Sequence, residues 1–460
     1  MPSAAWCSDA CEHHARLPQG VRAEDLRSSA ANREFPLSPG GKGGKGPGVS
    51  PASHARGASL LAVYFAFAAA YFLSYFYRTA NAVLSPRLTQ DLGLSAGDLG
   101  LLTSAYFVSF GLAQLPLGLM LDRHGPRRVE GTLLLFAAAG ALLFALGQNF
   151  GTLLIARGLI GFGVAACLMA ALKGFVLWFP AAQRPAWSGW IMVAGGSGAL
   201  VSSAPLEAAL HWTDWRGVFF FLAGATLIVA LALWRTLPTG HDDHPPSRAE
   251  LLAGLVQVLK SARFWWIAPL GGLGMGGFMA VQGLWSVPWL MENAGYSKEG
   301  AAGVLLAMSV AQLAGYLALG LGASRLESWG VAPRQLFLFG FSLHLSALGL
   351  MLVAGPGWSI VLWCVYGLAV TCNVLGFNVL AEGFSDRLAG RASTALNLMM
   401  FAGSFLSQWG IGVVIDVTGA WAAWTPAQGL RAGFALLLAL QVASFIWFVW
   451  GWRRHAGGQR

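Results

Sequence analysis

Long apolar stretches fill the chain from residue 58 onward, and short polar gaps separate them. A helix needs about 20 predominantly apolar residues to cross the ~30 Å hydrocarbon core of a bilayer. Twelve stretches of suitable length lie at residues 58–84, 97–120, 129–147, 151–173, 186–208, 216–236, 264–290, 300–322, 334–354, 358–382, 392–416 and 429–452. The pattern therefore predicts an all-α polytopic membrane protein with 12 transmembrane helices.

The longest polar break after the N-terminal tail is at residues 238–246, and it divides the twelve stretches into two sets of six. It leads into an amphipathic piece that ends near Lys260. The domains predicted in this way are a flexible cytoplasmic tail, an N-terminal six-helix bundle, a cytoplasmic linker and a C-terminal six-helix bundle. Their bounds are residues 1–57, 58–238, 239–262 and 263–455.

Composition excludes a soluble protein. Of the 460 residues, 56% are hydrophobic and only 11% are charged, and the mean hydropathy is +0.59. A soluble fold could not hide that much apolar surface. The net charge of +9 does not indicate a nucleic-acid partner, because the basic residues cluster in the tail and in the gaps. No cysteine spacing suits zinc or a disulfide framework.

Basic residues are unevenly distributed between alternate gaps, and cytoplasmic loops retain Lys and Arg. Fifteen lie in the gaps and C-terminal tail on the side of the termini, against four on the other side: Arg87, Arg216, Lys298 and Arg431. This asymmetry predicts that both termini are cytoplasmic. The tail before residue 58 is not a signal peptide, and the short loops favour a bacterial inner membrane.

Segments at equivalent positions of the two sets resemble each other in sequence, as expected of a transporter built from structural repeats. Residues 118–128, which follow the second stretch, are echoed at residues 320–330 after the eighth. Residues 179–184, before the fifth stretch, are echoed at residues 384–391, before the eleventh. The offsets are 202 and 207 residues, so both pairs indicate one duplication.

The first of these segments, Gly118-Leu-Met-Leu-Asp122-Arg123-His-Gly-Pro-Arg127-Arg128, resembles the signature between helices two and three of the major facilitator superfamily. It departs from that signature in an inserted proline, Pro126, and in Ser324 at the acidic position of the second copy. The resemblance implies two six-helix bundles related by pseudo-two-fold symmetry. It also implies gating roles for Gly118, Asp122, Arg123 and Arg128, which in the family hold the outward-facing state. Residues 153–163 resemble the family's fourth-helix motif and give Arg157 a gating role as well.

Charged side chains inside a span are costly and therefore indicate function. Arg78 is the best candidate, and helical spacing places four polar residues near its face of the first span: Tyr71, Ser74, Tyr75 and Asn81. A guanidinium beside aromatic rings suits a carboxylate or a phosphate. Residues 77–86 also resemble the first helix of organic-anion and organophosphate members of the family. The structural alternative is a guanidinium that pairs locally or extends to the outer surface.

In the second set, Gln282 and Trp285 stand where organophosphate exchangers carry another arginine, which argues against phosphate exchange. Tyr366 and Asn373 on the tenth span complete the predicted substrate contacts, although helix-to-helix hydrogen bonds would also explain them. No nucleophile, metal or cofactor constellation is present, so the sequence predicts neither an enzyme nor a cofactor. The acids that could titrate are Glu207, Glu382 and Asp416, and Glu130 is placed near the end of a span.

These observations predict a secondary active transporter of a small anionic or zwitterionic organic solute, working by alternating access, with proton coupling left open. Its expected partners are the solute, protons and the bilayer, and the expected state is a monomer. A drug or cation exporter of the same fold and a non-transporting membrane sensor are the alternatives. A membrane-embedded enzyme would need paired acids or a reactive residue at one depth, which the sequence lacks.

Overall fold

The computed structural model describes residues 59–180, 183–239, 248–328 and 330–457, and no strand occurs within these ranges. The predicted tail, residues 1–57, and most of the polar break in the linker lie outside the described residues. The described residues belong to one compact unit, residues 51–460. The α-helices, in chain order, are α1 (Leu60–Leu92), α2 (Ala96–Leu146), α3 (Phe150–Gly163), α4 (Cys167–Trp178), α5 (Arg184–Val201), α6 (Ala204–Ala209), α7 (Trp215–Thr236), α8 (Arg248–Leu259), α9 (Ala262–Ala280), α10 (Ser286–Ala294), α11 (Lys298–Ser328), α12 (Pro333–Val353), α13 (Ser359–Ala369), α14 (Leu375–Ala381), α15 (Asp386–Ala422) and α16 (Pro426–Gly457).

Each of the twelve predicted stretches has a helical counterpart, and the described residues hold ten helices long and apolar enough to cross a membrane. Two predicted spans lie in α2, which consists of two helical segments that meet at a kink at Gly125, where the backbone is non-helical with φ of 75°. The fifth predicted span is divided between α5 and α6, which are not among the ten. An all-helical membrane fold is therefore confirmed, and the count of twelve crossings stays a prediction.

Local sequence explains the tight connection between α1 and α2. Gly93 adopts the left-handed conformation, with φ of 64°, and its N–H closes the last turn of α1 onto the Thr89 carbonyl. Ser95 and Asp98 then form a capping box that satisfies free N–H groups at the start of α2. A three-residue loop therefore reverses the chain, and α1 and α2 run antiparallel.

The contacts between helices divide them into two groups, which we call the first and second halves. In the first half α2 packs against α3, α4 and α7, and α1 packs against α5 and α7; in the second half α9 packs against α15 and α16, and α11 against α13. The halves meet where α2 contacts α15, and where α1 contacts a short π-helical turn at Val281–Trp285 and α10. The residue bounds predicted for the domains are not tested by these contacts.

A pair of hydrogen bonds joins the halves at one end of the molecule. We call the end that carries α8 the linker face and the opposite end, where the Gly93–Ser95 loop lies, the far face. At the far face Asp416 on α15 accepts hydrogen bonds from the backbone N–H groups of Ala96, at 3.1 Å, and Gly97, at 2.7 Å. An added Cβ at Gly97 would lie 2.6 Å from the Asp416 carboxylate, so only glycine permits this approach.

Candidate functional site

Arg78 lies where the two halves meet, on the part of α1 that faces α2 and α15. Its guanidinium carbon is 4.5 Å from the centre of the Tyr75 ring and 5.4 Å from that of Phe110, and it is 6.0 Å from the centre of the Phe401 ring on α15. Aromatic faces attract a cation at such distances. The side chain is only 7% exposed, so Arg78 is enclosed by rings from both halves and does not extend to the surface.

This buried guanidinium has no counter-ion among the described residues. The ion pairs there join Arg87 to Glu207 and Lys173 to Asp122. Arg78 Nε has no hydrogen-bond partner, and the hydroxyl that faces the guanidinium belongs to Tyr106. A buried charge is costly unless it is paired. The arrangement is therefore suited to an anion that brings its own hydrogen-bond acceptors.

The neighbours predicted on α1 divide into two kinds. Tyr71 and Tyr75 form an edge-to-face pair with ring centres 5.1 Å apart, and Ser74 Oγ is buried without a partner. Asn81, in contrast, donates to Thr103 Oγ1 at 2.9 Å and braces α1 against α2. Tyr71, Ser74 and Tyr75 thus share the neighbourhood of Arg78, while Asn81 has a packing contact of its own.

The second half brings amide groups to the same region. Gln282 donates from Nε2 to Gln312 Oε1 at 3.0 Å, and Trp285 donates from Nε1 to the Gln408 carbonyl at 3.0 Å. The side-chain amide of Gln408 is fully buried, and neither its oxygen nor its nitrogen has a hydrogen-bond partner within the described part of the chain. A Cβ at Gly283 would lie 3.2 Å from the Arg78 carbonyl, which shows how closely the π-helical turn approaches α1.

Tyr366 and Asn373 belong to a different packing group. Tyr366 stacks on the His344 ring with centroids 4.4 Å apart and lies 5.3 Å from the Phe278 ring centre. Asn373 faces Gly274 on α9, and neither polar atom of its amide has a partner. The contacts of Arg78 include neither residue, so their role in binding substrate stays a prediction.

The acid of the predicted gating loop pairs within its own half. Asp122 accepts a hydrogen bond from Lys173 Nζ on α4 at 2.9 Å, within its own half. Arg123 and Arg128 are exposed, and no atom lies within 4 Å of a Cβ built at Gly118. Arg157 is completely buried, donates to the Tyr77 carbonyl at 3.2 Å and faces the Tyr106 ring. Their gating role stays a prediction.

The acidic residues that the sequence analysis named lie in contacts that it did not predict. Glu207 makes two hydrogen bonds to Arg87, at 2.7 and 2.8 Å, and Asp416 caps α2. Glu382 lies near Arg263. Glu130, predicted near the end of a span, lies five residues after the kink at Gly125, and its side chain is completely buried between helices.

A separate lateral groove of about 910 Å³ lies between α1, α5, α6 and α7. Its lining is almost entirely apolar, and Phe65 and Phe221 in that lining are 64% and 75% exposed. Such a surface suits hydrocarbon, so the groove is not a site for an anionic solute.

Among the described residues no group of three or more His, Cys, Asp or Glu side chains could hold a metal ion.

Several residues around Arg78 were missed by the sequence analysis. They are Tyr106, Phe110, Gln312, Tyr316 and Phe401. They come from α2, α11 and α15, and no spacing along the chain links them to Arg78. The polar residues Gln312 and Tyr316 within apolar spans were the only signal available.

The sequence profile of the Major Facilitator Superfamily matches residues 67–408. Since this match spans most of the chain, the protein belongs to that family of membrane transporters. The predicted membership of this superfamily is thereby confirmed.

Two relatives and one solved structure illustrate the similarity. The hexuronate transporter of Escherichia coli (strain K12) is 26% identical over 413 residues, which cover 78% of this chain and 92% of the relative. The probable L-galactonate transporter of the same strain is 30% identical over 159 residues, or 35% of each chain. A bacterial homologue of the human lysosomal transporter Spinster, in an inward-facing and unoccupied conformation, has a TM-score of 0.67 at 17% identity, over 85% of this chain and 96% of that one.

Proposed function

We propose that this protein is a secondary active transporter of small sugar acids, such as hexuronates, with the substrate carboxylate bound at Arg78. The observation that carries the proposal is the buried guanidinium without a counter-ion at the meeting of the two halves. The printed names of the two relatives support the substrate class, since both refer to sugar acids.

The surroundings of Arg78 match the rest of such a molecule. An arginine fork accepts a carboxylate through two parallel hydrogen bonds. Hydroxyl groups of the sugar would form hydrogen bonds with the side-chain amides of Gln282, Gln312 and Gln408. The Tyr75 and Phe110 rings offer apolar faces to the C–H groups of the ring. A site built to hydrogen-bond hydroxyls discriminates strongly against analogues that lack them.

Transport by alternating access would require the two halves to separate at the far face and to approach at the linker face. The hydrogen bonds that Asp416 accepts from α2 support a closed far face, and the pairing of Asp122 with Lys173 keeps that acid within its own half. In the opposite state that loop would contact the second half. This is the role that the family gives to Gly118, Asp122, Arg123 and Arg128. Arg157 would stabilise the position of α1 through its hydrogen bond to the Tyr77 carbonyl.

We further infer a multi-pass protein of the bacterial inner membrane with both termini in the cytoplasm, working as a monomer with the solute and protons as its partners. The uneven distribution of basic residues supports the orientation. Neither an enzymatic activity nor a nucleic-acid partner is part of the proposal.

Purified protein and proteoliposomes test the proposal directly. D-galacturonate, D-glucuronate and L-galactonate are compared with glucose, inorganic phosphate and a lipophilic cation as stabilisers of the wild type. A ligand at 100 times its Kd adds about 2.7 kcal/mol of stability. We expect stabilisation by one or more sugar acids, and exchange of radiolabelled sugar acid across the vesicle membrane.

Arg78→Ala should abolish both effects, and Arg78→Lys should retain a weak response because it keeps the charge without the fork. Arg454→Ala is the matched control, since it removes an exposed guanidinium that lies over the Trp450 ring. Stabilisation by the cation alone would favour the exporter alternative. Binding of a sugar acid without exchange would favour the sensor. A sugar-acid response that survives Arg78→Ala would contradict the assigned site.

A further inference from the structure

Two arginines of the second half share one tryptophan ring at the linker face. The guanidinium carbon of Arg263, on α9, is 5.3 Å from the centre of the Trp452 ring, and that of Arg334, on α12, is 5.0 Å from it. Trp452 lies near the end of α16, so its ring joins the ends of three helices. Two like charges held against one ring repel each other, and a bound anion would relieve that repulsion.

Neither arginine is neutralised within the described part of the chain, where the ion pairs are Arg87–Glu207 and Lys173–Asp122. Arg263 donates to the Val379 carbonyl at 3.2 Å, and its Nε is buried without a hydrogen-bond partner. The exposed acid Glu382 lies near Arg263 but makes no ion pair with it. The guanidinium of Arg263 is therefore fixed beside Trp452 and keeps its positive charge.

Both arginines also occupy the first turn of a helix. The N-terminus of a helix carries a partial positive charge, so acidic residues are favoured there. The first turns of α9 and α12 contain no acid and have Arg263 and Arg334 instead. Ser261, at the N-cap of α9, makes no side-chain hydrogen bond to the free N–H groups. Each of these features is unfavourable in the protein alone, and each favours an anion.

Tryptophans around these arginines indicate their depth in the membrane. Trp265, Trp447 and Trp450 are 43–44% exposed. The indole N–H of Trp265 donates to the Leu259 carbonyl of α8 at 2.7 Å, and that of Trp447 donates to the Trp265 carbonyl at 2.9 Å. Tryptophan is enriched at the level of the phospholipid headgroups. Lipid phosphate is therefore the anion that this part of the surface would meet.

We propose that Arg263, Arg334 and the Trp452 ring bind the headgroup of an anionic phospholipid in the leaflet at the linker face. Basic clusters at the membrane surface attract anionic lipids, and a guanidinium fork matches the geometry of a phosphate. A zwitterionic lipid carries an ammonium group that two adjacent guanidinium groups would repel. The bound lipid would connect α9, α12 and α16 and stabilise the second half, whatever solute the protein transports.

The test uses delipidated protein in detergent, titrated with phosphatidylglycerol, with phosphatidylcholine and with inorganic phosphate. Melting temperature reports stabilisation, and native mass spectrometry counts the lipids that stay bound. Arg263→Gln and Arg334→Gln remove one charge each from the proposed site. Arg454→Gln is the matched control, because Arg454 lies 3.9 Å from the centre of the Trp450 ring on the same end of α16.

Phosphatidylglycerol should stabilise wild type and Arg454→Gln alike, and phosphatidylcholine should have a much smaller effect. In Arg263→Gln and in Arg334→Gln the half-saturating concentration of phosphatidylglycerol should rise about fivefold, the contribution of one basic residue at a membrane surface. Added salt should weaken the response of wild type.

Three results would overturn the proposal. Equal stabilisation by phosphatidylcholine would show that the charge of the headgroup is not recognised. An equal loss in Arg454→Gln would show a general attraction to a basic surface. Stabilisation by inorganic phosphate that is lost in Arg263→Gln and Arg334→Gln would show a site for a soluble anion instead of a lipid.

A photoreactive phosphatidylglycerol supplies a measurement on wild type alone, which decides the matter if the variants do not fold. With the reactive group on the headgroup, crosslinked peptides should come from the beginnings of α9 and α12 and from the end of α16. Crosslinks spread evenly over the linker face, or confined to other helices, would reject the site.

Discussion

His344 lies fully buried on α12, among aromatic rings of the second half. Its ring is stacked on Tyr366 and lies 5.8 Å from the centre of the Phe341 ring. The Tyr366 backbone lies near the ring, but no hydrogen bond of ordinary geometry reaches either ring nitrogen among the described residues. A buried polar atom left without a partner costs about 1–3 kcal/mol, so His344 is a residue whose polarity destabilises the fold.

His344→Phe should therefore stabilise the protein. Phenylalanine keeps a ring against Tyr366 and removes both unpaired nitrogens, so we expect a gain of about 1 kcal/mol, reduced by any overpacking. Thermal unfolding in detergent measures the change. A lower melting temperature would mean that the imidazole nitrogens are hydrogen-bonded in the protein.

At the level of single residues, spacing along one helix was predictive and contacts between helices were not. The three- and four-residue steps placed Tyr71 and Tyr75 beside Arg78, and their rings do pack there. Phe401 could not be anticipated, because 323 residues separate it from Arg78 and no periodicity joins two helices.

Close backbone contact joins α9 and α15 in the second half. Gly403 on α15 lies against the Gly272 backbone, and a Cβ at position 403 would overlap the Gly272 carbonyl. Small residues allow membrane helices to approach closely, which supplies van der Waals contact where the hydrophobic effect does not act. Gly410, two turns further along α15, has no atom within 4 Å of its Cβ position.

Gly403→Ala and Gly410→Ala form a matched pair on this element. Gly403→Ala should lower stability by about 1–3 kcal/mol, because the two helices must move apart. Gly410→Ala should raise it by about 0.5–1 kcal/mol, because alanine is the better helix former. Thermal unfolding and monodispersity after detergent extraction distinguish the two variants. Equal effects would show that the separation of α9 and α15 adapts freely.

The hydropathy pattern predicted the long helices well, because the thickness of a bilayer sets their length. It did not predict the continuity of α2 through the bend at Gly125, where helix follows directly on helix. The break between α5 and α6 at Ser202 and Ser203 was also not predicted, since both residues lie inside an apolar stretch. Local backbone geometry decides such points, and hydropathy does not report it.

For the whole molecule, the pattern of spans and basic residues predicts both chain ends on the cytoplasmic side. A fluorescent protein fused after Arg460 should therefore be fluorescent in bacterial cells, and alkaline phosphatase fused there should be inactive. A phosphatase fusion after Gln148, in a gap predicted to face outward, is the control and should be active. An active phosphatase after Arg460 would overturn the predicted orientation.

The Asp416 contact at the far face has a consequence for how tightly a solute binds from that side. In the alternating-access cycle proposed above, this contact would be made when the far face is closed, and it would lower the fraction of molecules that are open there. The apparent affinity for a solute would be reduced in proportion to that fraction. Weakening the contact would raise the apparent affinity from the far face and slow the closure that follows. The hydrogen bonds that Asp416 accepts from Ala96 and Gly97 would thereby set a balance between capture and release.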